Sequence, residues 1–304
     1  MKWQGRQGSS NIEDRRGQGS SGGSGGGGLG SNPFGQGGGG FRLPSGRSGG
    51  GLGGLAIIIV FIIIALAFGI NPMSILTGDT SGPTTSSVLP PQNASEDELA
   101  QFVSVMVKDT EDYWGEYFSA QGQTYAPPKV VLFSGQTSSG CGTADTASGP
   151  FYCPNDRKVY IDLGFYDQLR QQFGAPGDFA QAYVIAHEVG HHVQNLIGVL
   201  PEFNRKRQTM TQDQANAYSV RVELQADCFA GVWGKGEFEK GFLESGDVAE
   251  AINAANQIGD DTLTNNTISP RQYTHGTSEQ RMKWFQQGYT TGDPDKCDTI
   301  NGPI

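Results

Sequence analysis

The chain has 304 residues, of which 46 are glycine, and it carries a formal net charge of −10 at pH 7. This acidic balance excludes a general nucleic-acid binder, because phosphate binding needs clustered lysine and arginine side chains. Glycine is concentrated near the start of the chain, so a packed core is expected only from about residue 96 onward, which is enough for one domain.

The segment before the domain divides into three parts by composition. Residues 1–51 are dominated by glycine, serine and glutamine and predict a disordered cytoplasmic tail, since they cannot bury enough apolar surface to offset chain entropy. The first sixteen of them are less repetitive and fit a short docking segment. Residues 52–70 are apolar and uncharged, which predicts a transmembrane helix, and residues 71–94 are rich in Pro, Ser and Thr, which predicts a linker.

The predicted transmembrane helix has two alternatives, a buried core helix and a cleaved signal peptide. An uncleaved anchor is favoured, because helices apolar on every face are rare in small domains and signal peptides begin closer to the N-terminus. Basic residues precede the span and acidic residues follow it, so the positive-inside rule predicts a single-pass membrane protein with the lipid bilayer as a partner. Its N-terminus would be cytoplasmic and its domain extracytoplasmic (periplasmic or extracellular).

Residues 95–304 predict an α+β domain that is mainly helical with a small sheet. The domain opens with a helix, and short apolar runs at 130–133 and 159–163 predict strands. The later part of the chain has helical periodicity. The predicted helices cover residues 164–173, 179–197, 212–232, 246–258 and 278–287.

All four cysteines lie in this domain, at Cys141, Cys153, Cys228 and Cys297. An even number on one side of a predicted span indicates disulfides in an oxidising compartment, and four reduced, packed thiols are the alternative. Cys141 and Cys153 flank a short loop and can close it locally. The predicted pairing is therefore Cys141–Cys153 and Cys228–Cys297, with the second bond tying the C-terminal tail to a helix.

The helix predicted at 179–197 contains an H-E-x-x-H motif that begins at His187. Residues four apart lie one turn apart on the same face, so His187 and His191 can bind a single zinc ion. Glu188 lies beside that position and is predicted to be the general base that activates the attacking water. His192 points about 100° away from His191 and is interpreted as structural.

A catalytic zinc site has three protein ligands and one open position, so a third ligand is expected from another segment. Glu223 and Asp227 are four residues apart in an otherwise apolar stretch, where buried carboxylates are costly unless they bind a partner. Glu223 is the predicted third ligand, and Asp227 is predicted to accept the second N–H of a ligating imidazole. The alternative is a pair of carboxylates on the surface of the helix.

The fourth histidine, His275, precedes the helix predicted at 278–287. A histidine in such a loop is a candidate donor to the oxyanion that forms during hydrolysis, and the alternative is an ordinary loop histidine. His275 is therefore the second predicted catalytic residue, after Glu188.

Several separated motifs resemble one known family. The motifs are H-E-V-G-H-H at 187–192, E-L-Q-A-D at 223–227, G-P-F-Y-C-P at 149–154, T-H-G-T-S-E-Q-R at 274–281 and the opening M-K-W-Q-G-R. They resemble the bacterial putative neutral zinc metallopeptidase family. The resemblance implies a zincin-type fold with glutamate as the third ligand, dependence on zinc and a single-pass anchor, but it implies no particular substrate.

Together these features predict zinc-dependent peptide-bond hydrolysis by a membrane-anchored metalloendopeptidase. The substrate would be a peptide or protein that pairs with the strand at 159–163 as an edge strand. Two alternatives remain, a membrane-tethered zinc-binding scaffold without catalysis and a zinc hydrolase of a non-protein amide such as cell wall. A purely structural zinc site has no need of Glu188, which favours catalysis. The physiological substrate and the oligomeric state stay open.

Overall fold

The computed structural model describes residues 1–17, 94–171 and 173–304, which belong to one compact unit. The strands are β1 (Ile12–Asp14), β2 (Lys129–Phe133), β3 (Gln136–Ser139), β4 (Gly142–Asp145), β5 (Phe151–Cys153) and β6 (Lys158–Asp162). The helices are α1 (Ala94–Ala120), α2 (Gly164–Gln171), α3 (Asp178–Leu196), α4 (Val199–Lys206), α5 (Gln212–Glu239), α6 (Asp247–Gln257), α7 (Asp260–Leu263) and α8 (Ser278–Thr291). The domain is thus mainly helical with a small sheet, as predicted.

The main sheet has the strand order β1-β2-β6-β5. Strands β1, β2 and β6 run parallel, whereas β5 runs antiparallel to β6. The apolar runs of β2 and β6 are buried on both faces, which is typical of central strands. The prediction that 159–163 forms an edge strand is wrong, because β2 and β5 pair with β6 on its two sides. The edge next to β6 is β5.

The long helix α5 is the centre of the helical part, with α3 and α8 packed against it. Capping boxes begin α5 at Thr211 and α8 at Thr277. The backbones of α5 and α8 touch, since a Cβ atom at Gly288 would lie 1.9 Å from the carbonyl oxygen of Cys228. Only glycine permits this approach, which brings the C-terminal half of α8 against the middle of α5.

The first seventeen residues pack against the domain. Met1 and Trp3 are buried in the main hydrophobic core, where the Trp3 ring lies 5.5 Å from that of Phe102. β1 extends the sheet, with Ile12 opposite Val130 of β2. This segment therefore belongs to the folded unit, although its composition predicts part of a disordered tail over 1–51. The rest of that predicted tail lies outside the described residues.

The predicted membrane topology is wrong. The proposed span at 52–70 lies outside the described residues, and among the described helices none combines the length and apolar character needed to cross a bilayer. A span between the tail and the domain would place them on opposite sides of a membrane, yet β1 and β2 share one sheet. The fold class is corrected to a mainly helical domain with a small sheet, and the predicted single-pass anchor, bilayer partner and localisation are not supported.

Both predicted disulfides are confirmed. Cys141–Cys153 links the β3–β4 hairpin to β5. Cys228–Cys297 links α5 to the C-terminal segment that follows α8.

Candidate metal centre

The two motif histidines lie one turn apart on α3, as their spacing predicts. The imidazole rings of His187 and His191 have centroids 4.8 Å apart. Both side chains are largely buried between α3 and α5. The backbones of these helices come close at Gly190, where a Cβ atom would lie 3.2 Å from the Cα of Ala226. The small residue inside the motif therefore brings both rings within reach of α5.

Glu223 on α5 completes a group of three. Its carboxylate oxygens lie 3.2 Å from His187 Nε2 and 3.5 Å from His191 Nε2. One ligand atom from each of these residues falls within 4.8 Å of the others, so the three could hold one metal ion. The structure thus brings together the same three residues that the sequence analysis predicted as metal ligands.

The Nδ1 atoms of the two imidazoles, which face away from Glu223, have different partners. His187 Nδ1 lies 2.7 Å from Asp227 Oδ1, as predicted, whereas His191 Nδ1 lies 2.8 Å from Gln194 Oε1. These acceptors place a proton on each Nδ1, which leaves each Nε2 facing Glu223. Gln194 was not a predicted site residue, although its position three residues after His191 on one helix is a recognisable signal.

Asp227 is the centre of a buried hydrogen-bonded group, here called the Asp227 network, formed with Tyr183, His187 and Arg281. Tyr183 donates its hydroxyl to Asp227 Oδ1 at 2.5 Å. Arg281 of α8 donates Nη2 to Oδ1 at 3.0 Å and Nε to Oδ2 at 2.9 Å. Burial alone would raise the pKa of Asp227, but Arg281 and His187 lower it to about 2. Asp227 is therefore a fixed anion behind His187.

Neighbouring carboxylates raise the pKa values of both histidines. Burial alone would lower the pKa of His187, but Asp227 and Glu223 raise it to about 10. For His191 the Glu223 carboxylate likewise outweighs burial and raises the pKa. A metal ion would have to displace these protons, so its affinity would fall as the pH is lowered.

Glu188 lies next to the three-residue group and is only 7% exposed. Burial raises the pKa of its carboxyl, while the positive charges of His191 and His187 oppose the rise. The backbone N–H of Tyr152, in β5, donates to the Glu188 carboxylate. The position and the raised pKa suit a group that accepts a proton and later returns it.

His275 lies in the loop before α8, and its side chain is one-third exposed. Its Nδ1 is 3.1 Å from Asp260 Oδ1. Asp260 Oδ2 also accepts the backbone N–H groups of Thr274 and His275 at 2.7 Å and of Gly276 at 3.1 Å. Asp260, which sequence reasoning missed, thus shapes the loop and orients the ring. Burial alone would lower the pKa of His275, but Asp260 and Glu223 raise it.

His192 lies outside the group, in agreement with its structural interpretation. Its Nε2 contacts the carbonyl of Ala126 at 2.7 Å, and its Nδ1 lies 3.1 Å from the Tyr152 hydroxyl. Burial lowers the pKa of His192 to about 4. The ring therefore stays neutral and connects α3 to β5 and to the segment before β2.

A second group of acidic side chains lies near the N-terminus, formed by Asp178, Asp247 and Glu250. The amino group of Met1 lies 2.7 Å from an oxygen of Asp178 and 3.4 Å from one of Asp247. This ammonium already supplies the positive charge that the acidic side chains attract. The group around His187 contains imidazole donors and fits a metal better.

The donor set around Glu223 matches the preference of zinc. Two neutral imidazole nitrogens and one carboxylate oxygen are the ligands of one class of catalytic zinc site, which keeps a fourth position open. Both Nδ1 atoms have hydrogen-bond acceptors, so the tautomers that leave Nε2 free are favoured. The residues present therefore fit zinc.

Fold and site together define a metallopeptidase-like domain with an H-E-x-x-H helix and a glutamate on a second helix. The chain belongs to the family described as "Putative neutral zinc metallopeptidase", which matches residues 1–300. This confirms the resemblance seen in the motifs, and the family description implies zinc and a peptide or protein substrate.

Relatives of this chain occur in distant bacteria. It is 48% identical to the "Uncharacterized protein YpfJ" of Escherichia coli (strain K12) over 309 aligned positions, covering 100% of both chains. It is 45% identical to the "Uncharacterized protein Rv2575" of Mycobacterium tuberculosis (strain ATCC 25618 / H37Rv) over 193 positions, covering 58% of this chain and 64% of the relative. No solved structure is significantly similar to the chain.

Proposed function

We propose that this chain is a zinc-dependent endopeptidase whose metal is held by His187, His191 and Glu223. The observation that carries the proposal is the convergence of two imidazole Nε2 atoms and one carboxylate, with the general-base candidate Glu188 beside them. When bound there, zinc would supply a Lewis acid that polarises a peptide carbonyl and makes water more acidic.

Glu188 is the proposed general base. It takes a proton from the attacking water and later passes that proton to the leaving amine. Burial raises the pKa of its carboxyl, which makes the carboxylate a better proton acceptor than an exposed glutamate.

His275 is the proposed oxyanion donor. Its Nδ1 is engaged by Asp260, so its Nε2 is the nitrogen available to the developing negative charge. Loss of one such donor typically lowers turnover by about 10²–10³-fold. His275→Ala is expected to do so while zinc content stays at the wild-type level. Unchanged turnover would restore the ordinary loop interpretation of His275.

The free edge of β5 is the proposed place for substrate. Extended peptides bind by adding a strand to an exposed edge, and among the described residues β5 pairs with β6 alone. Tyr152 connects this strand directly to Glu188. A peptide along β5 would therefore pass close to the proposed general base, which favours a peptide over a compact substrate.

The decisive experiment measures hydrolysis by the purified full chain loaded with zinc. Wild type, Glu188→Gln and the control Glu202→Gln, an exposed glutamate of α4, are assayed on an unfolded protein and on peptidoglycan. Glu188→Gln keeps the shape but removes the base, so protein hydrolysis should fall by about 10²–10⁴-fold. The control should match wild type.

Each alternative predicts a different pattern in this assay. Activity on peptidoglycan alone would support a hydrolase of cell-wall amides. No activity on either substrate, with zinc bound, would support a scaffold. Glu188→Gln activity within a few-fold of wild type would remove Glu188 as the base.

A further inference from the structure

A chain of buried hydrogen bonds runs outward from His191, and it is here called the glutamine relay. His191 Nδ1 lies 2.8 Å from Gln194 Oε1, and Gln194 Nε2 donates to Gln225 Oε1 at 3.1 Å. Gln225 Nε2 then donates to the backbone carbonyl of Cys297 at 3.0 Å. The side chains of Gln194 and Gln225 are 0% and 7% exposed, so water does not compete effectively for these bonds.

The relay has a fixed direction. A backbone carbonyl can only accept, so Cys297 requires the amide nitrogen of Gln225 and turns its oxygen toward Gln194. The carbonyl of Val222 accepts a hydrogen bond from Gln194 Nε2 at 2.7 Å. This bond fixes the Gln194 amide in the same orientation, with its nitrogen toward α5. The oxygen of Gln194 therefore faces His191, which favours the tautomer with the proton on Nδ1.

The far end of the relay is anchored covalently. Arg221, Gln225 and Cys228 lie at i, i+4 and i+7, on one face of α5. Cys228 is bonded to Cys297, and Arg221 Nη1 donates to the carbonyl of Gly302 at 2.7 Å. This face of α5 thus holds the C-terminal segment, while the face with Glu223 and Asp227 points to α3 and α8.

We propose that Gln225 and the Cys228–Cys297 disulfide position His191 from behind, through Gln194. The disulfide fixes the acceptor that orients Gln225, and Gln225 fixes the amide that orients the imidazole. Neither Gln225 nor the disulfide touches the metal position. The inference rests on the proposed function in one respect, namely that His191 is a metal ligand.

The test is the zinc dissociation constant of the folded, metal-free full chain, measured by competition with a chelator at fixed pH. Partners behind a ligating histidine typically contribute 10–100-fold in metal affinity, and a more distant partner is expected near the lower limit, about tenfold. Gln225→Leu and the double variant Cys228→Ser/Cys297→Ser should each weaken zinc binding by about that factor. The control Cys141→Ser/Cys153→Ser removes the other disulfide and should bind zinc as wild type does.

Combining the changes tests the coupling. If the disulfide acts through Gln225, adding Gln225→Leu to the Cys228/Cys297 variant should weaken zinc binding little further. If the losses of zinc affinity in the two variants multiply when the changes are combined, the disulfide does not act through Gln225. A wild-type dissociation constant for Gln225→Leu would overturn the inference even if the cysteine variant fails to fold.

A final variant distinguishes a failure of the relay inference from a failure of the proposed ligand set. His191→Ala should bind zinc far more weakly than any relay variant. If His191→Ala loses zinc and Gln225→Leu does not, only the relay inference fails. If His191→Ala keeps wild-type affinity, the proposed ligand set itself is wrong.

Discussion

The two motif histidines have the same role in the proposed site but very different support. The Asp227 network behind His187 is ionic, with a carboxylate held by an arginine whose side chain is 3% exposed. The glutamine relay behind His191 contains only neutral amides and a backbone carbonyl. Both arrangements place a proton on Nδ1 and turn Nε2 toward Glu223.

The difference lies in charge and in what happens when a member is lost. The negative charge of Asp227 strengthens His187 as a ligand, but it needs Arg281 to be tolerable away from water. The relay adds no charge, so it orients His191 without making the centre more negative. A broken ion pair leaves an uncompensated charge in the core, whereas a broken amide contact leaves only unpaired polar groups.

The largest effect on stability is expected from Arg281→Met. Removing one partner of a buried ion pair typically costs about 3–5 kcal/mol, because the remaining charge stays buried. Denaturant unfolding of the variant should show a loss of that size. Lys283→Met removes an exposed cation from the same helix and should change stability little. A loss below about 1 kcal/mol for Arg281→Met would mean that Asp227 finds other compensation.

A smaller effect is expected from Gln194→Ala. The change leaves the Nδ1–H of His191 and the carbonyl of Val222 without a side-chain partner, which typically costs about 1–3 kcal/mol. The same denaturant titration should therefore rank Gln194→Ala below Arg281→Met. Gln286→Ala, an exposed glutamine of α8, serves as the control. A larger loss of stability for Gln194→Ala than for Arg281→Met would mean that the glutamine relay stabilises the fold more than the Asp227 network does.

The features that could be predicted from the sequence depend on residue spacing along the chain. The H-E-x-x-H spacing and the four-residue spacing of Glu223 and Asp227 define helix faces, and these faces meet as predicted. The cysteine pairing followed from loop length and is confirmed. The roles of these residues in catalysis stay predictions that the proposed experiments address.

Tertiary signals explain what sequence analysis missed. Gln225 and Arg281 are polar residues within helices, where a solvent-facing side chain and a buried one look alike in sequence. Gln194 differs from them, because its position three residues after His191 was a local signal that went unused. Strand order is also a tertiary property, so the edge position of β5 could not be inferred from its composition. The packing of Met1 and Trp3 agrees with the docking segment suggested by the less repetitive first sixteen residues, but composition alone could not show where these side chains pack.

The central claim is that Glu223 joins the two histidines around one zinc ion, and zinc content tests it most directly. Wild type, Glu223→Ala and Glu239→Ala, an exposed glutamate on the same helix, are purified with zinc, dialysed without it and analysed by mass spectrometry. We expect one tightly bound zinc per chain in wild type and in Glu239→Ala, and almost none in Glu223→Ala. Full zinc occupancy in Glu223→Ala, or a folded wild type that binds no zinc, would contradict the central claim.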